Sequence, residues 1–319
     1  MRRLLGAAAI AAGLFASAAS AQPVGIGTSP QGTLTYALGA AFARALGESA
    51  NIQARVQPSS GTGVIIPLVD SGEIDLGFVN ALEITEAYRG VGSFEGRPQK
   101  NLRMLGVLFP IRVGLFVRND SAIRTLADLR GKSVVYGYTS TPILKTVVDG
   151  MLANGGLAPG DVRPILVPSL VRGVDDFIAG RADVGFFALG QAKVAEADAA
   201  VGGIRFLPMV DEPRAVAAMQ ALVPGSYLAP VEPAANLPGV GQPLKIMHYD
   251  YVLFTNVRTP AARVRDFVRV LLEQKGVLAA SAPSFNELRP DRIYREFPVP
   301  YHEGAEAYFR DKGVQRVKG

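Results

Sequence analysis

The strongest constraint on the fold is an alternation of short β-rich segments with helical segments, separated by Gly, Pro and Ser clusters. Residues 23–27, 52–56 and 74–79 are predicted strands, and residues 33–46 and 63–71 are predicted helices, the second ended by Gly72. A β-α-β-α-β order implies a mostly parallel sheet covered by helices. The sequence therefore predicts an α/β fold.

A second series of the same kind follows a long extended segment at residues 102–118, which Pro110 interrupts. Its predicted strands are residues 133–136, 165–167 and 182–187, and its predicted helices are residues 142–153 and 171–179. Asn154-Gly155-Gly156 is a C-cap signal for the first of these helices. The chain thus repeats one α/β pattern.

The remainder of the chain is less regular. Residues 210–241 are rich in Pro and Ala with weak periodicity, so an irregular segment is predicted there. Residues 246–254 are predicted to be extended. Thr259 and Pro260 are predicted to start a helix, as N-cap and first helical residue, that runs to about residue 275.

The two series share a short sequence echo, Gly-x-x-Asp-x-Gly-Phe, at Gly72 to Phe78 and again at Gly180 to Phe186. Chance resemblance in a Gly-rich chain is the alternative. If the echo is structural, the chain has two equivalent α/β lobes joined by extended crossover strands. A ligand would then lie in the cleft between the lobes.

The first 21 residues have the pattern of a secretory signal. Arg2 and Arg3 precede an apolar run, and Ala19-Ser20-Ala21 fits the small-x-small rule for cleavage before Gln22. The run is shorter than the ~20 residues that span a bilayer, although a retained membrane anchor is the alternative. Export to the periplasm is therefore expected.

Composition narrows the function further. The chain of 319 residues has no cysteine, which excludes a disulfide framework, thiol nucleophiles and thiolate metal sites. Its net charge of +5 is small for this length, and no Lys/Arg cluster is interleaved with aromatics, so no nucleic-acid partner is expected. Two domains and a monomer are expected.

Three loops of small polar residues each lie between a predicted strand and a predicted helix: residues 28–33, 57–63 and 138–142. In a parallel sheet such loops meet at the carboxyl ends of the strands, where ligands bind. Helix N-termini carry unpaired N–H groups and partial positive charge, so they favour a small anion. Gly61 and Gly63 would allow close backbone approach, and Ser60, Thr62, Ser140 and Thr141 would donate hydroxyls. Ordinary N-capping is the alternative for each single loop.

Further candidates lie in the same layer. Arg112 is in the first crossover segment next to Pro110, where a solvated or structural arginine is an equal interpretation. Tyr36, Asn80, Glu83 and Phe187 follow helix starts or strand ends, and core packing is the alternative for the two aromatics.

Enzyme motifs are incomplete. Gly25 to Pro30 begins like a dinucleotide fingerprint, but Pro30 occupies the third glycine position, and no Gly-x-Ser-x-Gly elbow occurs. His248 and His302 are the only histidines and are widely separated, which disfavours a zinc site or a catalytic triad. No metal and no cofactor are expected, and an exported α/β enzyme remains only a remote alternative.

The chain resembles the TAXI family, the solute receptors of one class of tripartite ATP-independent periplasmic (TRAP) transporters. The resemblance covers nearly the whole chain after the signal. The matching segments are Gly27-Thr28, Gly32, Tyr36 to Gly39, Ser60 to Gly63, Ser71 to Leu76, Ile123 to Lys132, Pro300 to Ala305 and Tyr308-Phe309. The Pro-x-His-x-Gly-Ala segment at Pro300 is the most specific of these.

Three positions depart from the family pattern. Where the family has two tyrosines in succession, this chain has Thr35-Tyr36. The segment from Tyr138 to Thr141 replaces the family's Gly-Ser-Gly-Thr loop, and Ile111 replaces an acidic residue that often follows the crossover proline. Because these positions fall in the expected pocket, the resemblance predicts the fold but not the identity of the ligand. The family's usual glutamate-like dicarboxylates are therefore not carried over.

The resemblance implies a two-lobed periplasmic-binding-protein fold (type II), each lobe a mostly parallel sheet flanked by helices, joined by two crossover strands. Residues 1–21 would be the signal peptide, residues 22–108 plus 249–319 lobe I, and residues 109–248 lobe II. The chain would capture a carboxylate or an amino-acid-like anion and dock on a TRAP permease in the membrane. The alternative partner is an ATP-driven (ABC) importer, as for sulfonate and thiamine-precursor receptors. The candidate ligand-binding residues are Thr28, Thr33, Tyr36, Ser60, Gly61, Thr62, Asn80, Arg112, Thr139, Ser140, Thr141 and Phe187.

Overall fold

The computed structural model describes residues 22–318, so the predicted signal segment lies outside the described residues. The strands are β1 Val24–Thr28, β2 Ala54–Pro58, β3 Leu76–Asn80, β4 Leu102–Arg118, β5 Ser133–Tyr138, β6 Arg163–Val167, β7 Gly185–Ala188, β8 Ile204–Phe206, β9 Tyr227–Val231 and β10 Leu244–Asn256. The helices are α1 Leu34–Ala50, α2 Thr62–Ser71, α3 Ala81–Arg89, α4 Ile143–Asn154, α5 Leu170–Ile178, α6 Ala192–Val201, α7 Pro213–Leu222, α8 Ala261–Glu273, α9 Lys275–Ser281 and α10 Glu303–Asp311. None of the helices in this described part has the length and hydropathy needed to cross a membrane.

The first β-α-β-α-β unit, residues 24–80, forms a parallel sheet in the order β2-β1-β3. Every residue of β1 and β3 is buried, as expected for parallel strands covered by helices on both faces. The helix α2 ends at Gly72, whose φ of 85° is left-handed and favours glycine, as the sequence predicted.

The second unit, residues 133–188, has the same order of elements. Strands β5 and β6 pair in parallel, and a parallel bridge between Val134 and Val184 brings β5 beside the segment that enters β7. Long strands β4 and β10 lie between the units and pair with each other antiparallel; β10 also pairs with β3, and β4 with β7. The result is one mixed sheet of eight strands that runs from the first unit to β7, while β5 and β6 form a separate two-stranded sheet.

The sequence echo is structural. The Oδ2 atom of Asp75 accepts a hydrogen bond of 2.7 Å from the backbone N–H of Gly25, and Oδ2 of Asp183 accepts one of 2.9 Å from the N–H of Ser133. Both bonds join residues 50 positions apart, and both link the start of the third strand of a unit to its first strand. The two units are therefore built on the same internal plan.

The hydrophobic core divides along β4 and β10. One cluster of buried side chains draws on residues 24–109 and 251–309, whereas the other two lie within residues 113–249. Along β4 the change falls between Phe109 and Val113, and along β10 between Tyr249 and Tyr251. This distribution supports the predicted lobe boundaries, which stay a prediction.

Two parts of the sequence interpretation need correction. Residues 210–241 are not irregular throughout, because they contain α7 and β9. Helix α7 buries only Met219, so its sequence has no apolar stripe that would reveal it. Pro260, and not Thr259, occupies the N-cap position of α8; the Thr259 hydroxyl instead lies 2.8 Å from the hydroxyl of Thr255.

Candidate functional site

A cavity of about 50 Å³ lies between the two units, with β4 and β10 contributing to its wall. None of the described residues that line it carries a charge. They are Ser29, Thr33, Leu34, Thr35, Thr62, Asn80, Ile111, Val113, Thr141, Leu144, Leu170, Phe186, Phe187, Ala188, Tyr249 and Tyr251. The cavity is thus mainly apolar and aromatic, with a few hydroxyl and amide groups, as small-molecule sites usually are.

The N-terminal ends of five helices contribute to this lining. Leu34, Thr62 and Leu170 are the first residues of α1, α2 and α5, Asn80 is the N-cap of α3, and Thr141 lies two residues before α4. Each helix start carries a partial positive charge that falls off within about one turn. The partial positive ends of five helices therefore surround a cavity whose described lining has no charged side chain.

Ordinary capping accounts for three of these helix starts. Thr33 accepts the N–H of Tyr36 at 3.4 Å, Asn80 accepts the N–H of Glu83 at 2.8 Å, and Ser169 caps α5. In the part of the chain that the structure describes, no side chain caps α2 or α4. Ordinary N-capping therefore explains the polar residues at the starts of α1, α3 and α5, but it does not explain those at the starts of α2 and α4.

The uncapped ends of α2 and α4 lie against each other. The backbone N–H of Gly63 donates to the carbonyl oxygen of Ser140 at 3.1 Å, and the Ser140 hydroxyl donates to the carbonyl oxygen of Ser60 at 2.9 Å. A Cβ on Gly61 would lie 2.2 Å from Oγ1 of Thr141 and 2.6 Å from the Ser140 carbonyl oxygen. The glycine therefore allows the two units to meet across the cleft, and the structure has the two loops in contact.

Behind the cavity lies Glu83, whose side chain is fully buried. Its Oε2 accepts hydrogen bonds from Oγ1 of Thr62 at 2.6 Å and from Nδ2 of Asn80 at 3.1 Å, and both donors line the cavity. Among the described residues, its Oε1 has no hydrogen-bond partner. Desolvation by burial raises the pKa of this carboxyl to about 7, against the lowering effect of the two hydrogen bonds.

The sequence interpretation missed the contribution of the crossover strands. Tyr249 and Tyr251 are two residues apart on β10 and so share one face of the strand, and Tyr249 is directly opposite Ile111 of β4. Both tyrosines line the cavity. The sequence does contain two tyrosines at positions i and i+2, but such a pair in an apolar strand is usually part of a hydrophobic core and does not by itself indicate a binding site.

Of the predicted ligand-binding residues, Thr33, Thr62, Asn80, Thr141 and Phe187 are brought together in the cavity wall. Ser60, Gly61 and Ser140 form the contact between the loops.

The other four predicted residues lie elsewhere. The Arg112 guanidinium pairs with Glu287 at 2.8 Å on the far side of Ile111, and exposed Thr139 donates to the Pro168 carbonyl at 3.4 Å. Tyr36 is half-buried on α1 outside the lining, and Thr28, fully buried at the end of β1, also lies outside it. Within residues 22–318, no group of three His, Asp or Glu side chains is placed to hold a metal ion.

Most of the chain matches a known family and solved structures. A model described as the NMT1-like family matches residues 26–313. PhnD1 from Prochlorococcus marinus (MIT 9301), in complex with methylphosphonate, aligns with a TM-score of 0.56 at 10% identity, covering 92% of this chain and 98% of that one. The alkanesulfonate-binding protein SsuA from Xanthomonas axonopodis pv. citri, bound to MOPS, aligns with a TM-score of 0.50 at 14% identity, covering 92% and 91%.

At such low identity these structures establish the fold alone. They are type II periplasmic binding proteins, so the predicted α/β fold class is confirmed.

Proposed function

Because the chain belongs to the NMT1-like family, we propose that it is an extracytoplasmic receptor that captures a small organic anion between its two units and delivers it to a membrane importer. It is a solute-binding protein for a small ligand, as the family and the structural neighbours are. The charge of the ligand and the identity of the importer are the parts that the proposal adds.

The proposal that the ligand is an anion depends on one observation. Five helix N-termini converge on a cavity whose described lining has no charged side chain. The positive ends of these helix dipoles disfavour a cation and stabilise an anion. The hydroxyls of Thr141, Tyr249 and Tyr251 would add direct hydrogen bonds. Such bonds to a charged acceptor contribute about 1.5–3 kcal/mol each.

The ligands of the structural neighbours agree with this class. PhnD1 holds methylphosphonate and SsuA holds MOPS, which are a phosphonate and a sulfonate. Both carry a compact oxyanion on a small organic body. A cavity of about 50 Å³ with aromatic walls suits a ligand at the small end of that range.

We assign the lobes as the sequence divides them, with residues 22–108 plus 249–319 in lobe I and residues 109–248 in lobe II. The loops of Ser60 and Ser140 then come from different lobes, and their hydrogen bond closes the cleft. A ligand enclosed in this way is held by both lobes at once, which a permease can recognise as the loaded form.

Two importers remain candidates. The likeness to sulfonate- and phosphonate-binding proteins favours an ATP-driven importer. A TRAP permease is supported by the sequence segments shared with the TAXI receptors, above all Pro300 to Ala305. Reconstitution with each class of transporter separates them, because only the first requires ATP for uptake.

The test of the receptor is mass spectrometry of the small molecules that co-purify with the protein, followed by thermal shift with the identified compound. Binding of a ligand at about 100-fold its Kd stabilises the folded state by about 2.7 kcal/mol. A ligand recovered chemically unchanged supports a receptor. Turnover of the ligand, or no shift with any sulfonate, phosphonate, carboxylate or amino acid, would overturn the proposal.

A further inference from the structure

We propose that Glu83 is a specificity-determining positioning residue: when neutral, it donates its proton to Thr62 and so frees the Thr62 hydroxyl to donate to an anionic ligand. The inference rests on the proposed function, because it assumes an anion in the cavity. Its consequence is that, at a pH where Glu83 is ionised in the empty cavity, binding of the anion is accompanied by the uptake of one proton. Glu83 itself lies behind the cavity wall and does not touch the ligand.

The geometry disfavours a charged Glu83. The side chain is fully buried, its Oε1 has no partner among the described residues, and its Oε2 is held only by the neutral groups of Thr62 and Asn80. Burial of an ionised carboxylate without a paired cation is costly, and such groups usually take up a proton instead. An unpartnered carbonyl oxygen of a neutral acid is much easier to bury.

The groups that face Glu83 strengthen this preference. Glu86, one turn away on the same helix α3, is acidic and acts against ionisation of Glu83. Tyr249 and Tyr251 on β10 are neutral, and the proximity of Glu83 raises their pKa values further, after burial as the first cause. Thr62 on α2 and Asn80 at the end of β3 are neutral donors. No cation of the described chain acts on Glu83.

The direction of one hydrogen bond depends on this proton. With Glu83 ionised, Thr62 Oγ1 donates to Oε2 across 2.6 Å, and the threonine then presents only lone pairs to the cavity. With a proton on Oε2, the carboxyl donates to Oγ1 over the same distance, and the Thr62 O–H can turn to the cavity. The first state repels an anion and the second binds it.

The negative charge of the ligand also favours the neutral form of Glu83. An anion in the cavity would lie next to a second negative charge if Glu83 were ionised, and like charges at low dielectric cannot both be maintained. Binding therefore raises the pKa of Glu83 above its value of about 7 in the empty cavity, and by linkage protonation raises the affinity.

The experiment measures Kd against pH for wild type and for Glu83→Gln, which keeps the shape of the neutral acid. Methanesulfonate is the probe, because its own charge is constant over the range. Above pH 7 the wild-type Kd should rise about tenfold per pH unit, since one proton is bound per ligand. Glu83→Gln should bind with a Kd that does not change with pH. Glu95→Gln, an exposed glutamate that does not contact Glu83, is the control and should keep the wild-type slope.

A second measurement is independent of any ligand. The infrared difference spectrum of wild type minus Glu83→Gln at about pH 6, below the raised pKa, should contain the carbonyl band of a neutral carboxylic acid. Absence of that band from the difference spectrum, or an identical pH-independent Kd in wild type and Glu83→Gln, would overturn the proposal. Failure of methanesulfonate and acetate to bind at any pH, with the band present, would instead count against the anion of the proposed function.

Discussion

Thr62 donates a hydrogen bond of 2.6 Å to Glu83, and through this contact a buried carboxyl determines which atoms of the cavity wall face the ligand. Thr62 is the first residue of α2 and Glu83 lies in the first turn of α3, so the contact also ties together two helices of the first unit. The pair therefore bears on stability as well as on binding.

Thr62→Val should destabilise the protein by about 1–3 kcal/mol, because the isosteric side chain leaves Oε2 of Glu83 with only Asn80 as a donor. The measurement is urea denaturation above pH 7, where Glu83 is ionised. Thr62→Ser retains the hydroxyl and is the control; a loss of the same size in that variant would show that packing of the methyl group, and not the hydrogen bond, is responsible.

The pH dependence of stability follows from Glu83. Burial raises its pKa from the ordinary value of 4.5 to about 7 in the folded state, so between these pH values the folded state binds the extra proton. The free energy of unfolding should therefore fall as pH rises from 4.5 to 7, by up to about 3 kcal/mol from this group. Glu83→Gln should lose that part of the slope. The exposed variant Glu95→Gln should not, and an unchanged slope in both would contradict the assignment.

Gly61→Ala should hold the cleft open. Its added Cβ would lie 2.2 Å from Oγ1 of Thr141, and its extended backbone, with φ at 173°, imposes no strain of its own. Overpacking costs about 1–3 kcal/mol, so ligand affinity should fall about tenfold, with a larger radius of gyration in X-ray scattering. Gly47→Ala, where nothing lies within 4 Å, is the control. Unchanged affinity and scattering in Gly61→Ala would mean that the loops need not meet.

Thr141 and Thr139 lie in the same loop, one at the cavity and the other at the protein surface, so they form a matched pair for a binding test. Thr141 lines the cavity with a free hydroxyl, whereas Thr139 is exposed and bonded to the Pro168 carbonyl. Thr141→Val should lose about 1.5–3 kcal/mol of binding free energy to an anion, and Thr139→Val close to none. Isothermal titration calorimetry measures both, and an equal loss would place the ligand outside the cavity.

Arg112 was predicted as a ligand contact, and its ion pair with Glu287 allows a direct test. Because both side chains are partly exposed, their pairing should contribute at most about 1 kcal/mol to stability. Arg112→Ala and Glu287→Gln should then have similar small effects on melting and none on affinity. A loss of affinity in Arg112→Ala, without one in Glu287→Gln, would show that Arg112 contacts the ligand as the sequence predicted.

The sequence predicted the fold wherever an element carried its own pattern. The run of β4, residues 102–118, was predicted at its observed bounds because it is long, apolar and free of helical periodicity. Helix α3 was missed because Asn80 both ends β3 and caps the helix, so no loop separates the two elements. Helix α7 was missed because it buries a single side chain.

The site divides in a similar way. Thr62, Asn80 and Thr141 could be predicted because strand-to-helix loops have a recognisable composition and a known place in a parallel sheet. Tyr249 and Tyr251 could not, since only the antiparallel pairing of β4 with β10 brings them to the cavity. The orphaned Oε1 of Glu83 depends on three elements meeting and has no counterpart in the local sequence.

The ladder between β4 and β10 has a consequence for how the molecule acquires its structure. Val113 pairs with Met247 beside one part of the hydrophobic core, and Met104 pairs with Phe254 beside the other, so a single pair of strands belongs to both halves. A fragment comprising either half would carry severed strands with open backbone edges, which favour aggregation. Neither half can therefore complete its sheet without β10, and we expect the two halves to fold together.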